Sequence, residues 1–228
     1  MRSSRVFVVD LDETLTEGGE ARVKEHVRRS LDRLKEEGWL LVLATGRDIT
    51  YLKEREDLHG IFHAWIAESG LSYIIHERGL IRVNAPRDWL EAINRLKSLS
   101  YVQAKDHTVS VKACNLHRLM EELSRHGFEA RLVDNRGNFI ALPKGISKES
   151  ALRMLLRDLG VEAFVAAVGD SEVDVELLRE ADFSAAVANA EPLVKSIVDY
   201  VASRPDGDGV VEIVDVLLRR FGTPYTSS

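Results

Sequence analysis

The most informative part of the chain lies near its N-terminus and reads Val6-Phe7-Val8-Val9-Asp10-Leu11-Asp12-Glu13-Thr14-Leu15-Thr16. Four consecutive apolar residues followed by polar ones predict a strand that is buried on both faces, as in a parallel sheet. Asp10 and Asp12 then lie at the carboxyl end of this strand, where open α/β sheets form their active sites. Two carboxylates held close together require a cation, a proton or fixed donors. A turn-capping Asp12 and a solvated Asp10 remain the simpler alternative on this stretch alone.

Strands and helices alternate along the segments that follow. After a Gly18-Gly19 turn, apolar residues at helical spacing predict a helix over residues 21–37. Continuous apolar runs predict strands at 39–44 and 64–67, and the same pattern returns in the last third of the chain with a strand at 163–168. This order is typical of right-handed crossovers, so it predicts an α/β fold with a parallel sheet.

The middle of the chain follows a different pattern. After a predicted hairpin at 72–83, two amphipathic helices are combined with strands whose apolar residues alternate. A tight Asp134-Asn135-Arg136-Gly137 turn joins two of these strands. We therefore predict an antiparallel sheet with one face covered by two helices, forming a second domain at 84–142. The first domain comprises residues 1–83 and 143–228.

The composition narrows the range of functions. The 228 residues are 45% apolar and 30% charged, and the net charge of -6 argues against a nucleic-acid partner. The single cysteine, Cys114, excludes an intramolecular disulfide and a CxxC metal site. No run approaches the ~18 apolar residues of a membrane span, and the chain starts without a signal-peptide pattern. We expect a soluble, cytoplasmic protein that is a monomer or a homodimer.

Polar side chains gather at the predicted carboxyl ends of three parallel strands. Because these ends meet at one edge of the sheet, the side chains are expected to lie close together. A lysine at the start of a predicted helix can face the same edge. The candidates are Asp10, Asp12, Thr45, Lys148, Asp170 and Asp174.

This set of side chains is suited to phosphoryl transfer. Several carboxylates without histidine or cysteine form a hard oxygen site, which favours Mg²⁺ over zinc. A hydroxyl and an ammonium can hold the phosphoryl oxygens in the transition state. One aspartate can attack as a nucleophile, and a carboxyl two residues later can donate a proton to the leaving alcohol.

Four short motifs resemble those of the haloacid dehalogenase superfamily of phosphatases, in the same order and across the whole chain. They are Asp10-Leu11-Asp12-Glu13-Thr14, Thr45-Gly46-Arg47, Lys148 and Gly169-Asp170-Ser171-Glu172-Val173-Asp174. The resemblance implies a Rossmann-like parallel sheet with helices on both faces. It also implies a small α+β cap domain between the second and third motifs, and neighbouring strands for the first and fourth motifs.

The resemblance implies a role for each motif residue. Asp10 would be the nucleophile and Asp12 the general acid/base. Thr45, Gly46 and Lys148 would bind the phosphoryl group of a small phosphorylated metabolite. Lys144 competes for the lysine role, but the segment around Lys148 is more similar to the third motif.

The implied cofactor is Mg²⁺. Its ligands would be Asp10, the main-chain carbonyl of Asp12, and Asp170, with Asp174 supporting them from the same side. The resemblance thus implies that Asp10 both binds the metal and acts as the nucleophile.

The acid at position 12 favours a phosphatase or a phosphomutase, because dehalogenases lack an acid there and ion-pumping ATPases carry threonine. The position of the cap is similar to that in Cof-type phosphatases, and its small size to that in archaeal phosphoglycolate phosphatases. The predicted function is a Mg²⁺-dependent phosphomonoesterase acting through an aspartyl-phosphate intermediate, with 2-phosphoglycolate as the first candidate substrate. The alternatives are a phosphatase of the mannosyl-3-phosphoglycerate or sucrose-phosphate type, a phosphomutase, and a non-catalytic Mg²⁺-binding regulator.

The cap is expected to close over the site, exclude bulk water and select the leaving group. A solvated cap surface is the favoured explanation for its basic residues, but four of them could meet a substrate carboxylate. These are Lys105, His107, Lys112 and Arg131.

Three positions depart from the family's pattern. Many relatives have glycine where Glu13 stands and asparagine in place of Ser69 and Val173. None of these departures removes a catalytic group, although they loosen the substrate assignment. Ser69 is expected near the rim that faces the cap.

Overall fold

The computed structural model describes residues 4–18, 21–135 and 137–222. The predicted turns at 18–19 and 134–137 therefore fall partly outside the described residues, because Gly19 and Arg136 are not among them. None of the described helices is long and apolar enough to cross a membrane.

Within the described residues the strands form two sheets. The strands are β1 Ser4–Val9, β2 Trp39–Ala44, β3 Ala64–Ala67, β4 Ser72–Ile75, β5 Leu80–Val83, β6 Gln103–Ala104, β7 Val109–Lys112, β8 Ala130–Asn135, β9 Asn138–Pro143, β10 Ala163–Gly169, β11 Phe183–Ala186 and β12 Tyr200–Val201. The large sheet has the order β12-β11-β10-β1-β2-β3-β4-β5, and the small sheet the order β6-β7-β9-β8.

Helices connect these strands. The α-helices of the described residues are α1 Glu25–Glu36, α2 Ile49–Glu54, α3 Arg87–Leu96, α4 Leu116–Arg125, α5 Lys148–Leu159, α6 Val175–Glu180, α7 Pro192–Ile197 and α8 Asp206–Phe221. Single 3₁₀ turns are found at Glu56–Leu58, Glu68–Gly70, His76–Arg78, Ala113–Asn115 and Glu172–Asp174.

β1 lies in the centre of the large sheet, between β10 and β2. All three strands are parallel, with Val9 opposite Val168 on one side and opposite Leu43 on the other. Residues Val6 to Val9 are completely buried, which explains their continuous apolar run. The predicted α/β fold and the predicted pairing of the first and fourth motif strands are thus confirmed. Asp10 and Asp170 consequently follow two adjacent strands.

The predicted hairpin at 72–83 extends the large sheet. β4 pairs antiparallel with β3, and β5 pairs antiparallel with β4 at the edge. The large sheet is therefore mixed, with its antiparallel part confined to one side. β5 leads directly from this edge into α3 and the small sheet.

Helix α1 begins at Glu25 rather than at residue 21, because the preceding backbone makes other contacts. The amide of Val23 donates to Asp57 Oδ2 at 2.9 Å. Arg55 donates to the carbonyl of Ala21 at 2.7 Å. These bonds hold the segment in an extended path before the helix.

Helix α8 begins at Asp206, although Gly207 and Gly209 are residues that local sequence patterns associate with loops. Gly207 lies in its first turn, where a Cβ atom would be 2.8 Å from the carbonyl oxygen of Leu15. The glycine is required by this close packing rather than by a flexible loop. Its small size brings α8 against the loop that follows the first motif.

The small sheet forms the cap with α3 and α4. All of its pairings are antiparallel. One apolar cluster joins it to the two helices, and its fully or almost fully buried members are Trp89, Ile93, Leu96, Val109, Val111, Leu119, Leu123 and Ala141. The predicted architecture of this unit is confirmed, and β6 is an additional short strand. The bounds at 84 and 142 stay a prediction, and β9 itself runs to Pro143.

A second apolar cluster connects the cap to the large sheet. Its buried members are Leu71, Val133, Ile140, Leu142 and Val173. Val173 belongs to the fourth motif, whereas Val133, Ile140 and Leu142 lie on the small sheet. Since burial of such side chains stabilises by about 1.5–3 kcal/mol each, this cluster holds the cap against the carboxyl edge of the large sheet.

Candidate active site

Three buried carboxylates meet at the carboxyl ends of β1 and β10. The amide of Asp10 donates to the carbonyl of Val168 at 3.1 Å, which continues the pairing of the two strands into the loop. Oxygen atoms of Asp10, Asp170 and Asp174 all lie within 4.8 Å of one another. Asp10 is 7% exposed, Asp170 2% and Asp174 0%. The structure therefore brings together three of the predicted metal residues.

Lys148 supplies a positive charge to this cluster. Its Nζ donates to Asp10 Oδ1 at 2.5 Å and to Asp174 Oδ1 at 2.7 Å. Lys148 is the first residue of α5, whose N-cap Ser147 accepts a hydrogen bond from the amide of Ser150. The hydroxyl of Ser150 accepts from the Ser147 amide in return, so a serine replaces the usual capping-box glutamate.

Gly70 allows α5 to approach this closely. A Cβ atom on Gly70 would lie 2.1 Å from the carbonyl oxygen of Ser147. The start of α5, and with it Lys148, is thus set by a backbone contact that only glycine permits. Lys144 is exposed and does not line the pocket formed by these residues.

The charges of this cluster do not balance. Burial raises the pKa of Asp10 well above its usual range, and Asp174 and Asp170 raise it further, while Lys148 opposes the shift. Burial would lower the pKa of Lys148, but the carboxylates of Asp10 and Asp174 outweigh burial and raise it. Three carboxylates facing one ammonium leave two formal negative charges, which matches the charge of one divalent cation.

Two neighbours orient the carboxylates. The hydroxyl of Thr14 donates to Asp170 Oδ1 at 2.7 Å, and Thr14 is completely buried. Asp174 Oδ2 accepts from the amides of Asp170 and Ser171 at 3.2 Å each. A Cβ atom on Gly169 would be 2.5 Å from Asp174 Cγ, so glycine is needed there. Thr14 stands in the first motif, but its position in the sequence alone predicts no role for it.

Asp12 is held by an arginine instead of joining the three buried carboxylates. Arg47 Nε donates to Asp12 Oδ2 at 2.9 Å, and Arg47 Nη2 donates to Asp12 Oδ1 at 2.8 Å. The guanidinium also lies 4.5 Å from the ring centroid of Tyr51. This bidentate pair orients Asp12, and sequence reasoning missed the role of Arg47 although it quoted the residue within the second motif.

The predicted phosphate-binding residues line one narrow pocket with the two catalytic candidates. Thr45 is 1% exposed, and its Oγ1 accepts a hydrogen bond from the amide of Arg47 at 3.1 Å. The residues that line the pocket are Asp10, Asp12, Thr45, Gly46, Ser69, Lys148, Ser171 and Val173. A nucleophile candidate, a proton-transfer candidate, a hydroxyl and an ammonium thus share one space.

Ser69 lies inside this pocket and is completely buried, deeper than the rim position expected from sequence. Its Oγ has no hydrogen-bond partner among the described residues. Its φ of 55° is left-handed, and the same is true of Glu68 at 49°. Asparagine adopts this conformation more readily than most residues, which is compatible with the asparagine expected here from the family's pattern. Glu13 also has a left-handed φ, of 59°, a conformation that glycine adopts readily.

One cap loop contacts the edge of the large sheet that carries the second motif. Lys105 Nζ donates to the carbonyl of Gly46 at 3.0 Å. Asp106 accepts from the hydroxyl of Thr50 at 3.0 Å. The next residue, His107, contacts Glu68 through its amide and its ring. These three consecutive residues, the cap loop 105–107, fasten the cap at the segments that carry Gly46 and Ser69 of the pocket.

The sequence of the chain matches a known family over most of its length. The sequence model of the haloacid dehalogenase-like hydrolases matches residues 7–78 and 91–214. The phosphoglycolate phosphatase of Methanothermobacter thermautotrophicus is 30% identical over 224 residues, covering 95% of this chain and 98% of that protein. The phosphoglycolate phosphatase of Methanosarcina acetivorans is 29% identical over 222 residues, covering 93% and 96%.

Solved structures share the fold. A sugar phosphatase of subclass IIB of this superfamily superposes with a TM-score of 0.72 at 18% identity, covering 94% of this chain and 99% of that chain. This likeness supports the arrangement of a parallel sheet with an inserted cap. The family match, the relatives at about 30% identity and the geometry of the pocket lead to the same assignment. The chain belongs to the haloacid dehalogenase-like hydrolase family, and within it the chain is a phosphoric monoester hydrolase.

Proposed function

We propose that the protein is a Mg²⁺-dependent phosphomonoesterase that acts through a phosphorylated Asp10, with 2-phosphoglycolate as the best candidate substrate. The observation that carries this proposal is the position of Asp10. Its carboxylate joins a buried cluster that needs a cation and also lines a pocket shared with Asp12, Thr45 and Lys148. The names of the relatives at about 30% identity support the choice of substrate.

The donor set fits Mg²⁺. Oxygen ligands and two uncompensated negative charges suit a hard divalent cation. We assign Asp10, Asp170 and the main-chain carbonyl of Asp12 as its ligands. Both oxygens of Asp174 already accept hydrogen bonds, so Asp174 supports the site by orienting Lys148 and the loop after β10. When bound, Mg²⁺ supplies positive charge that keeps Asp10 ionised and offsets the charge of the phosphoryl oxygens.

In the first step an oxygen of Asp10 attacks phosphorus, and the bond from phosphorus to the ester oxygen breaks. Thr45, Gly46 and Lys148 hold the phosphoryl oxygens, and Asp12 gives its proton to the leaving alcohol. In the second step Asp12 takes a proton from water, whose oxygen attacks the phosphorus of phosphorylated Asp10. The bond between phosphorus and the Asp10 oxygen breaks, which releases inorganic phosphate and regenerates the Asp10 carboxylate and the protonated Asp12.

The alternatives have less support. The sugar-phosphate phosphatase alternative is based on a solved structure at 18% identity, and that likeness supports the fold alone. A phosphomutase would need room for a bisphosphate to turn around, whereas the cap loop 105–107 is fastened beside the narrow pocket. A non-catalytic regulator has no use for Asp12 beside the phosphate-binding residues. We also propose residues 84–142 as the cap domain and 1–83 with 143–228 as the catalytic domain.

The test combines phosphate release with chemical trapping. With 2-phosphoglycolate we expect phosphate release that requires Mg²⁺ and falls at least ~10³-fold in Asp10→Asn. Quenching during turnover followed by borohydride reduction should convert a phosphorylated Asp10 to homoserine, which peptide mass spectrometry locates. The matched control is Asp32→Asn, at a half-buried position of α1 where the carboxylate pairs with Lys35. Retained activity in Asp10→Asn, or a trapped phosphate elsewhere, would refute the mechanism.

A further inference from the structure

The cap loop 105–107 brings one lysine to the phosphate-binding edge. Lys105 follows β6, and its Nζ donates to the carbonyl of Gly46 at 3.0 Å. Gly46 itself lines the pocket next to Thr45. The ammonium of Lys105 is thus held on the cap side of the position assigned to the phosphoryl group.

The hydrogen bonding of Lys105 is incomplete. An ammonium has three N–H donors, and within the described part of the chain one of them is used, by a neutral main-chain oxygen. Among the described residues no carboxylate lies within ion-pair distance of Lys105. The more distant carboxylates of Asp48, Glu68 and Asp12 act on it only by raising its pKa. Lys105 is partly buried, and this burial lowers its pKa. A partly buried cation without a paired anion is costly unless a ligand supplies one.

The other basic cap candidates are either engaged or remote. His107 Nδ1 is bonded to Glu68 at 2.6 Å. Arg131 pairs with Glu176 at 2.5 Å. Lys112 is exposed at the end of β7. Of the four candidates, Lys105 alone combines unused donors with a contact to a pocket residue.

We propose that Lys105 binds a carboxylate of the substrate, so that the site selects phosphate esters of short hydroxy acids over phosphate esters whose alcohol part carries no charge. This inference rests on the proposed phosphatase function and identifies the substrate class of the same site. A carboxylate separated from the ester oxygen by a single carbon stays near the phosphoryl group. It can therefore reach an ammonium anchored at the carbonyl of Gly46.

The preference for a substrate with a carboxylate follows from the partial burial of Lys105 where the cap contacts Gly46. A substrate carboxylate forms a charge-assisted hydrogen bond in a region that is partly shielded from water, where such bonds are strong. A phosphate ester without a carboxylate leaves Lys105 unpaired, so this lysine does not strengthen its binding. The contact is made equally in the ground state and the transition state, so its loss should appear mainly in KM.

The experiment compares two esters that differ in one group. 2-Phosphoglycolate carries the carboxylate, and 2-hydroxyethyl phosphate replaces it with an uncharged hydroxymethyl group. In Lys105→Met we expect kcat/KM for 2-phosphoglycolate to fall roughly 30- to 100-fold, mainly through KM, because a charge-assisted pair is lost. For 2-hydroxyethyl phosphate the change should stay within about threefold. Lys105→Arg should recover part of the loss.

The matched control is Lys112→Met, which removes an exposed cap charge and should leave both substrates unchanged. An equal fall for both esters in Lys105→Met would show that Lys105 only fastens the cap, and this would overturn the inference. Unchanged kinetics for both esters would overturn it as well.

If Lys105→Met does not fold, Lys105→Gln provides the same test, because glutamine keeps a hydrogen-bond donor and loses the charge. A wild type that releases phosphate from neither ester would instead overturn the proposed function, whereas hydrolysis of both with no effect of Lys105 overturns this inference alone.

Discussion

The completely buried carboxylate of Glu68, on the large-sheet side of the pocket, accepts two hydrogen bonds from His107 of the cap. The amide of His107 donates at 2.7 Å, and its ring Nδ1 lies 2.6 Å from the second oxygen of Glu68. Glu68 is the residue before Ser69 of the pocket, and both have left-handed φ values. The closed cap is therefore fastened at a strained turn beside the pocket.

The His107–Glu68 pair should make the stability of the protein depend on pH. The hydrogen bond to Glu68 raises the pKa of His107 above its usual value of about 6.5, so the folded protein binds this proton more tightly than the unfolded chain. The charge-dependent part of the contact is fully present below about pH 6.5 and is lost as the pH rises through the raised pKa. The difference in unfolding free energy between wild type and His107→Gln should therefore shrink from about pH 5.5 to about pH 8.5.

Denaturant unfolding at several pH values measures this difference. The control is His117→Gln, because His117 pairs with Glu121 on the surface of α4 and its side chain is 84% exposed. A stability difference for His107→Gln that does not vary with pH would contradict the prediction.

Arg47 should act as a positioning residue for Asp12. Arg47→Met removes both hydrogen bonds from Arg47 that orient the Asp12 carboxylate. Proton transfer to the leaving group should therefore be slower, and kcat should fall ~10²-fold. An aryl phosphate with an acidic leaving group needs less protonation and should lose much less. Arg29→Met, which breaks an exposed pair with Glu25, serves as the control. Equal losses for alkyl and aryl esters would argue against this role.

Replacing Ser69 by alanine should increase the stability of the protein and decrease its activity. Its buried hydroxyl has no partner among the described residues, so Ser69→Ala should raise the unfolding free energy by about 1 kcal/mol. The same change removes a hydroxyl from the pocket and should lower kcat/KM. Ser30→Ala is a matched control, because the Ser30 hydroxyl on α1 is also buried without a partner but does not line the pocket. Ser30→Ala should be more stable with unchanged kinetics, and full activity in Ser69→Ala would refute the prediction.

Thr14 should control metal affinity through Asp170. Thr14→Val removes the hydrogen bond that orients Asp170 Oδ1, which should raise the half-saturating Mg²⁺ concentration about 10- to 100-fold. Titration calorimetry with Mg²⁺ in the absence of substrate measures this directly. Thr16→Val is the control, since the buried Thr16 hydroxyl donates to the carbonyl of Leu11 rather than to a carboxylate. Equal affinities in the two variants would contradict the assignment of Asp170 as a ligand.

The order of strands and helices could be derived from local patterns. β2 and β3 have the predicted bounds, because strands buried on both faces require continuous apolar runs. The meeting of Asp10 with Asp170 was also derivable, since parallel strands end at one edge of their sheet. Helix starts were less predictable, because α1 and α8 are set by contacts with Arg55, Asp57 and Leu15 that lie elsewhere in the chain.

The sequence by itself therefore determined the alternation of strands and helices, the inserted cap and the residue types at the catalytic edge. These features follow from periodic burial and from the topology of parallel strands, which are local properties or simple consequences of them. Only the tertiary structure decided which partner holds each group. Thr14 reaches Asp170 across 156 positions, and Lys105 meets Gly46 across 59. The first contact depends on how the loops after β1 and β10 pack together, and the second on how the cap packs onto the large sheet. No spacing along the chain encodes either packing.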